Sequence, residues 1–253
     1  MYWFINTQLG LNPCRTYRAL AAIPRFVNDL LSFIKNYKGR LTLLPCLHDR
    51  LEENGFAKDE YFWQDLYVAQ RIKEANPQKH VDIGSRIDGF VAHIASFRDI
   101  ELFDIRPLNR TIPGVIFKQM DLMKPDWLIS EYCDSLSCLH ALEHFGLGRY
   151  GDKVDINGHE SGLRNMARML SNGGTFYLSV PVGIERVEFN GHRVFDPRTV
   201  VLLAAQNQLI LKSFAWVGQD GVLIEPLEPE SSFRNLSEQP YALGIFTFHK
   251  RKA

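Results

Sequence analysis

The chain has 253 residues, 45% apolar and 23% charged, a balance that argues against disorder and allows one large domain or one domain with a small appendage. Its 29 Lys and Arg against 29 Asp and Glu leave a formal net charge of zero, which disfavours a nucleic-acid partner because phosphate neutralisation needs clustered positive charge. The cysteines (Cys14, Cys46, Cys133, Cys138) form no C-x-x-C pair, no apolar run approaches the roughly 18 residues of a membrane span, and Met1 to Asn6 lack the basic start of a secretory signal. A soluble, cytoplasmic protein with reduced thiols is the expectation.

Residues 1–79 read as a helical N-terminal cap. Ile23, Phe26, Val27, Leu30 and Ile34 recur with a helical period, which predicts an amphipathic helix with one buried face. Gly39 and Pro45 break that pattern. A second helix is expected from Asp59 to Ala75, with Phe62, Leu66, Ala69 and Ile72 on its inner side, and Asn76-Pro77 stops it.

From His80 to the end, short β-rich runs alternate with helical patterns, as in a parallel sheet covered on both faces. Strands are expected near 80–84, 99–104, 115–118, 133–139, 174–180, 209–217 and 241–249, with a helix near 159–170 carrying Leu163, Met166, Ala167 and Leu170. The Glu- and Pro-rich connection 218–240 shows no helical pattern, so the last two strands are expected to pair antiparallel. The expected fold is therefore α/β and Rossmann-like, a mostly parallel seven-stranded sheet with an antiparallel last strand, occupying residues 80–253.

Val81-Asp82-Ile83-Gly84-Ser85-Arg86 follows the first strand, at the place where open α/β sheets bind ligands. Arg86 stands where a dinucleotide fingerprint has its second glycine, and its bulk keeps the backbone from a pyrophosphate. That disfavours an NAD-dependent dehydrogenase or epimerase and leaves a nucleoside ligand acceptable. The second strand ends in Asp104, 22 positions beyond Asp82, where a carboxylate can meet ribose hydroxyls. Asp121 follows the third strand, where it can meet an exocyclic amino group.

Four of the eight histidines (His140, His144, His159 and His192) lie within 140–192. His140, Glu143 and His144 have H-x-x-E-H spacing, which puts all three on one face if a helix begins there. Three readings stay open: a general base, either His144 or His140, oriented by Glu143; a divalent-metal site; or a helix cap paired internally. Asn190, His192 and Arg193 follow the fifth strand. His192 and Asn190 suit a polyhydroxylated acceptor, and the fork of Arg193 suits a phosphate or carboxylate. Gly146 to Asp155, rich in glycine, reads as a lid or acceptor loop.

Val81-Asp82-Ile83-Gly84, Asp104, Asp121, Leu139 to His144 and the helix-turn-strand stretch Met169 to Pro181 resemble the class I S-adenosylmethionine-dependent methyltransferases. His140 to Asp152 and Phe189 to Arg193 resemble, more narrowly, the group called domain of unknown function 268, whose members are often associated with surface-polysaccharide biosynthesis. The resemblance implies S-adenosylmethionine as cofactor. Asp82, Gly84, Ser85 and Arg86 would meet its methionine end, Asp104 and Ile105 its ribose, and Asp121 and Leu122 its adenine. The helix bearing Tyr61, Trp63, Gln64 and Asp65 would close over it. The expected function is O-methylation of a hydroxyl on a small-molecule or glycan acceptor, with His144, His140, Glu143 and His192 carrying the chemistry. The competing expectation is a catalytically inactive nucleoside-binding or scaffold protein of the same fold.

Overall fold

A computed structural model describes residues 12–47, 59–124 and 129–252. The chain divides between residues 56 and 57 into a small N-terminal unit and a larger one. In the small unit, α1 spans Pro13–Ile34, with Pro13 at its first turn and the Asn12 side chain accepting from Arg15 N at 2.9 Å. The predicted helix is present, but its predicted buried face is not: no residue of α1 is buried. Residues 35–47 form no regular element that could cover its apolar stripe.

The larger unit opens with α2, Glu60–Ala75, capped by the Asp59 carboxylate on Tyr61 N and ended by Asn76 in the left-handed region (φ 43°) before Pro77. Its buried side is Gln64, Asp65, Val68, Ala69 and Ile72. The apolar stripe expected through Phe62 and Leu66 is thus rotated: Phe62 is 40% exposed, and two polar side chains take the inner face beside a cavity.

The strands β1 (His80–Ile83), β2 (Ile100–Asp104), β3 (Val115–Gln119), β4 (Cys133–Leu139), β5 (Leu170–Val182), β8 (Leu209–Val217), β9 (Leu223–Ile224) and β10 (Ala242–Lys250) form one sheet in the order β3-β2-β1-β4-β5-β10-β8-β9. The first five run parallel, and β10 is antiparallel to both β5 and β8. The sheet has eight described strands where seven were expected, because the two-residue β9 adds an edge beside β8. The run Ala242 to Phe248 reads as continuously buried because β10 is interior, covered on both faces. A separate hairpin, β6 (Arg186–Glu188) with β7 (His192–Val194), follows β5.

Alternate residues along each strand enter two cores. Val81, Ile83, Phe103 and Phe246 pack with α4 (Gly158–Met169), α5 (Pro197–Gln206) and α6 (Phe233–Ser237). Ile100, Leu102, Leu243 and Ile245 pack with α2 and with the turn Ile87–Val91 that leads into α3 (Ala92–Ala95). Each fully buried Phe or Leu contributes about 1.5–3 kcal/mol relative to exposure, so the two faces hold the strand ends at fixed spacing. No described helix is long and apolar enough to cross a membrane.

Candidate functional site

A cavity of about 760 Å³ opens beyond the carboxyl ends of β1, β2 and β4, within the usual size range of small-molecule sites. Its floor is the turn after β1. Gly84 sits at φ 73°, and a Cβ there would stand 3.0 Å from that of Ala141, so glycine is needed twice over. Asp82 holds this turn from beneath. Its fully buried carboxylate accepts from Ser85 N at 3.0 Å, Ser85 Oγ at 2.7 Å and Ser137 Oγ at 2.5 Å. Burial outweighs these bonds and pushes the carboxyl up to about 7. Asp82 is absent from the cavity wall, so it supports the turn rather than facing it, contrary to the expectation of direct contact.

Gly84, Ser85, Arg86, Asp104, Ile105, Asp121 and Leu122 do line the cavity. Arg86 pairs with Asp88 (2.8 Å) and lies 5.3 Å from the centre of the Tyr61 ring. Asp104 accepts from the backbone and guanidinium of Arg106 at 2.8 and 2.5 Å. From α2, Glu60, Tyr61, Gln64 and Asp65 reach the wall, while Trp63 does not.

His140, Glu143 and His144 come together, although not on a helix face. His140 has φ 52° and precedes a single 3₁₀ turn, Leu142–His144. Its backbone N–H is taken by the Ser179 carbonyl at 3.1 Å, which anchors the turn on β5. His140 Nδ1 meets Glu143 Oε1 at 2.8 Å, its Nε2 stands 3.3 Å from Glu60 Oε1, and Tyr61 stacks on its ring. Burial works against the imidazolium, but the two carboxylates prevail and raise His140 to about 10. Burial likewise works against the Glu143 carboxylate, and the His140 hydrogen bond prevails, holding it below its usual range.

His144 lies in a different setting. Its Nδ1 donates to the Gly191 carbonyl at 2.7 Å, which fixes the tautomer and leaves the Nε2 lone pair free, 3.6 Å from Glu143 Oε1. Burial lowers its pKa, so this ring is neutral near pH 7. One histidine is held charged and the other neutral, a separation that suits a proton acceptor beside a fixed cation.

His192 lines the cavity, with Nε2 3.5 Å from Glu188 Oε2. Asn190 and Arg193 do not. Asn190 is exposed, and the buried Arg193 donates to the carbonyls of Phe145 (2.6 Å), Glu143 (3.2 Å) and Ile156 (3.3 Å). Arg193 therefore ties β7 to the turn bearing Glu143 and has no free fork for an acceptor. The loop 146–155 is tied down as well, with Asp152 accepting from the backbone of Gly146, Gly148 and Tyr150. Among the described residues, no group of three or more His, Cys, Asp or Glu could hold a metal ion, so the divalent-metal reading finds no support.

Sequence reasoning missed Glu60, Arg106 and Tyr241 on this wall, and took Arg149 only as part of the lid or acceptor loop 146–155. Tyr241 Oη donates to Glu60 Oε1 at 2.7 Å across 181 residues, a pairing with no local signal.

This sheet order, with its antiparallel inner strand and a cleft at the strand ends, is the fold of the class I S-adenosylmethionine-dependent methyltransferases. The putative sarcosine dimethylglycine methyltransferase from Galdieria sulphuraria superposes with TM-score 0.52 at 10% identity, over 75% of this chain and 85% of that one. The N-methyltransferase NodS from Bradyrhizobium japonicum WM9, in complex with S-adenosyl-L-homocysteine, gives 0.50 at 13% identity, over 79% and 93%. The [4+2]-cyclase SpnF gives 0.52 at 10%, over 74% and 81%, so the fold alone does not specify methyl transfer. Residues 115–221 match the family described as "Caenorhabditis protein of unknown function, DUF268". No curated protein matches the chain.

Proposed function

We propose that this chain is an S-adenosylmethionine-dependent O-methyltransferase acting on a hydroxyl of a sugar or glycan precursor, with His144 as general base. The observation that carries the reading is His144 itself, an imidazole at the cavity wall pinned through Nδ1 on the Gly191 carbonyl, with burial favouring its neutral form. The wall suits the cofactor: the open backbone at Gly84 and the side chains of Ser85 and Arg86 would take its methionine end, Asp104 its ribose, and Asp121 with Leu122 its adenine. When bound, S-adenosylmethionine supplies an electrophilic methyl group on sulfur.

An aliphatic hydroxyl is a weak nucleophile and needs its proton removed as it reacts. His144 Nε2 takes that proton, and the imidazolium so formed is stabilised by Glu143 Oε1 at 3.6 Å. His140, already charged, keeps Glu143 ionised and in place and is too basic to act as the proton acceptor at neutral pH. His192, on the opposite hairpin, addresses acceptor hydroxyls. The polysaccharide setting comes from the family resemblance.

The test is calorimetric titration with S-adenosylhomocysteine, followed by transfer of labelled methyl from S-adenosylmethionine to hydroxylated acceptors. Asp104→Ala weakens binding at least tenfold, and His144→Gln binds normally but turns over poorly. One observation favours the competing reading of an inactive fold: Asp104 is already held by Arg106. Binding of S-adenosylhomocysteine without turnover on any hydroxylated acceptor, together with unchanged behaviour of His144→Ala, would favour that reading.

A further inference from the structure

The cations on the cavity wall are matched by carboxylates, with one exception. Arg86 pairs with Asp88, Arg106 with Asp104, and His140 with Glu143 and Glu60. Arg149 also lines the cavity, yet among the described residues no carboxylate pairs with it. Asp152, on the same loop, is spent on three backbone N–H groups. The guanidinium is held nonetheless. Its Nη1 donates to the Gly191 carbonyl at 3.0 Å, and it lies 5.1 Å from the centre of the Tyr150 ring. A guanidinium has five N–H donors, so most of the fork stays free for a planar or tetrahedral anion. The same Gly191 carbonyl accepts from His144 Nδ1, so one backbone oxygen sets the spacing between the unmatched cation and the imidazole.

We propose that Arg149 seats an anionic group, a carboxylate or a phosphate, carried by the methyl acceptor beside the hydroxyl that meets His144. This rests on the methyltransferase reading for the word acceptor. The anion site itself stands on Arg149, Gly191 and Tyr150. It makes the substrate an acidic or phosphorylated sugar rather than a neutral one, and moves the anion-binding role that the sequence suggested for Arg193 to Arg149.

The experiment follows the His144 ring by NMR in the full chain, its signal assigned by loss in His144→Gln, during titration with sodium phosphate, sodium acetate or sodium chloride at equal ionic strength. The charged groups acting on His144 are Glu143, Arg149 and His140. An anion on Arg149 offsets that cation, so His144 titrates higher by about half a pH unit with phosphate or acetate and not with chloride. Arg149→Gln abolishes the anion effect. A response to phosphate alone assigns a phosphate group, and a response to acetate as well assigns either anion. As a second readout, phosphate protects Arg149 from phenylglyoxal, scored by peptide mass spectrometry. Equal behaviour in all three salts with no protection overturns the proposal, as does an anion response that persists in Arg149→Gln. Calorimetry with S-adenosylhomocysteine on the same sample reads the methyltransferase assignment separately.

Discussion

The buried pair His140–Glu143 makes a quantitative claim about stability. Folding raises His140 from an ordinary 6.5 to about 10, because burial is outweighed by Glu143 at 2.8 Å and Glu60 at 3.3 Å. A raised histidine stabilises the fold fully below about pH 6.5, and the contribution is lost as pH climbs through about 10. At pH 7.5 the folded value lies about two and a half units above solution pH, which at roughly 1.4 kcal/mol per unit is about 3 kcal/mol. Glu143→Gln removes the nearer carboxylate, and His140 then sheds its proton rather than remain a poorly matched buried charge. With Glu60 still beside His140, the variant should lose up to about 3 kcal/mol at pH 7.5, on the order of 6–12 °C at most in melting temperature for a chain of this size, and the gap should shrink as pH climbs through about 10. Urea denaturation at pH 6, 7.5, 9 and 10.5 on both proteins supplies the comparison. Titrating groups away from Glu143, Asp82 among them, are common to both and cancel in the difference. A stability gap that stays constant across those four pH values would refute the ion-pair assignment and leave Glu143 as a packing residue.

His144→Gln should lower kcat by about 10²–10⁴ with cofactor affinity unchanged, and in the parent enzyme the acid limb of the kcat profile should lie below pH 6.5, since burial depresses His144. Stopped or continuous methyl-transfer rates between pH 5 and 9 decide it, and a limb above 7 would move the base elsewhere. The Asp82 carboxyl, raised from 3.8 to about 7 by burial, favours the fold when protonated, so stability falls as pH rises from about 4 to 7 and is flat beyond. Asp82→Asn should flatten that decline while keeping an acceptor for Ser85 N, as melting curves against pH would reveal. Arg193→Lys lacks the planar fork that reaches three carbonyls, and should cost about 1–3 kcal/mol through unsatisfied buried acceptors. It should also lower kcat by displacing Glu143, with S-adenosylhomocysteine affinity preserved. An unchanged melting temperature would show that the three contacts carry no net energy.

What the sequence disclosed is what acts over short separations. The strand-end acids Asp104 and Asp121 and the turn at Gly84 each sit at a fixed offset from a strand whose period is visible, and all reach the cavity. The H-x-x-E-H spacing also brought its three side chains together, by a different route. His140 in the left-handed region, followed by a 3₁₀ turn, closes the i to i+3 distance that a helix would have closed. Spacing alone does not distinguish the two conformations, because both return residue i+3 to the neighbourhood of residue i. Burial of polar groups was harder to read. The inner face of α2 rotated because Gln64 and Asp65 find partners inside, the former on Ser179 Oγ and the latter on Gln64 Nε2.

Partnership across long separations left no trace at all, and it decides the chemistry. Arg193 and Arg149 are indistinguishable as letters in a polar loop. One is buried under three carbonyls and the other is exposed at the cavity wall on the Gly191 carbonyl, because β7 folds back on the turn after β4. The same fold-back brings the Gly191 carbonyl onto His144, which selects the tautomer, while Glu60 from α2 and Glu143 hold His140 charged. Two histidines four residues apart thus have their pKa values pushed in opposite directions, with partners some fifty to eighty residues distant contributing. It follows that the Gly191 turn of the hairpin β6–β7 is where the setting of His144 can be altered from outside its own motif.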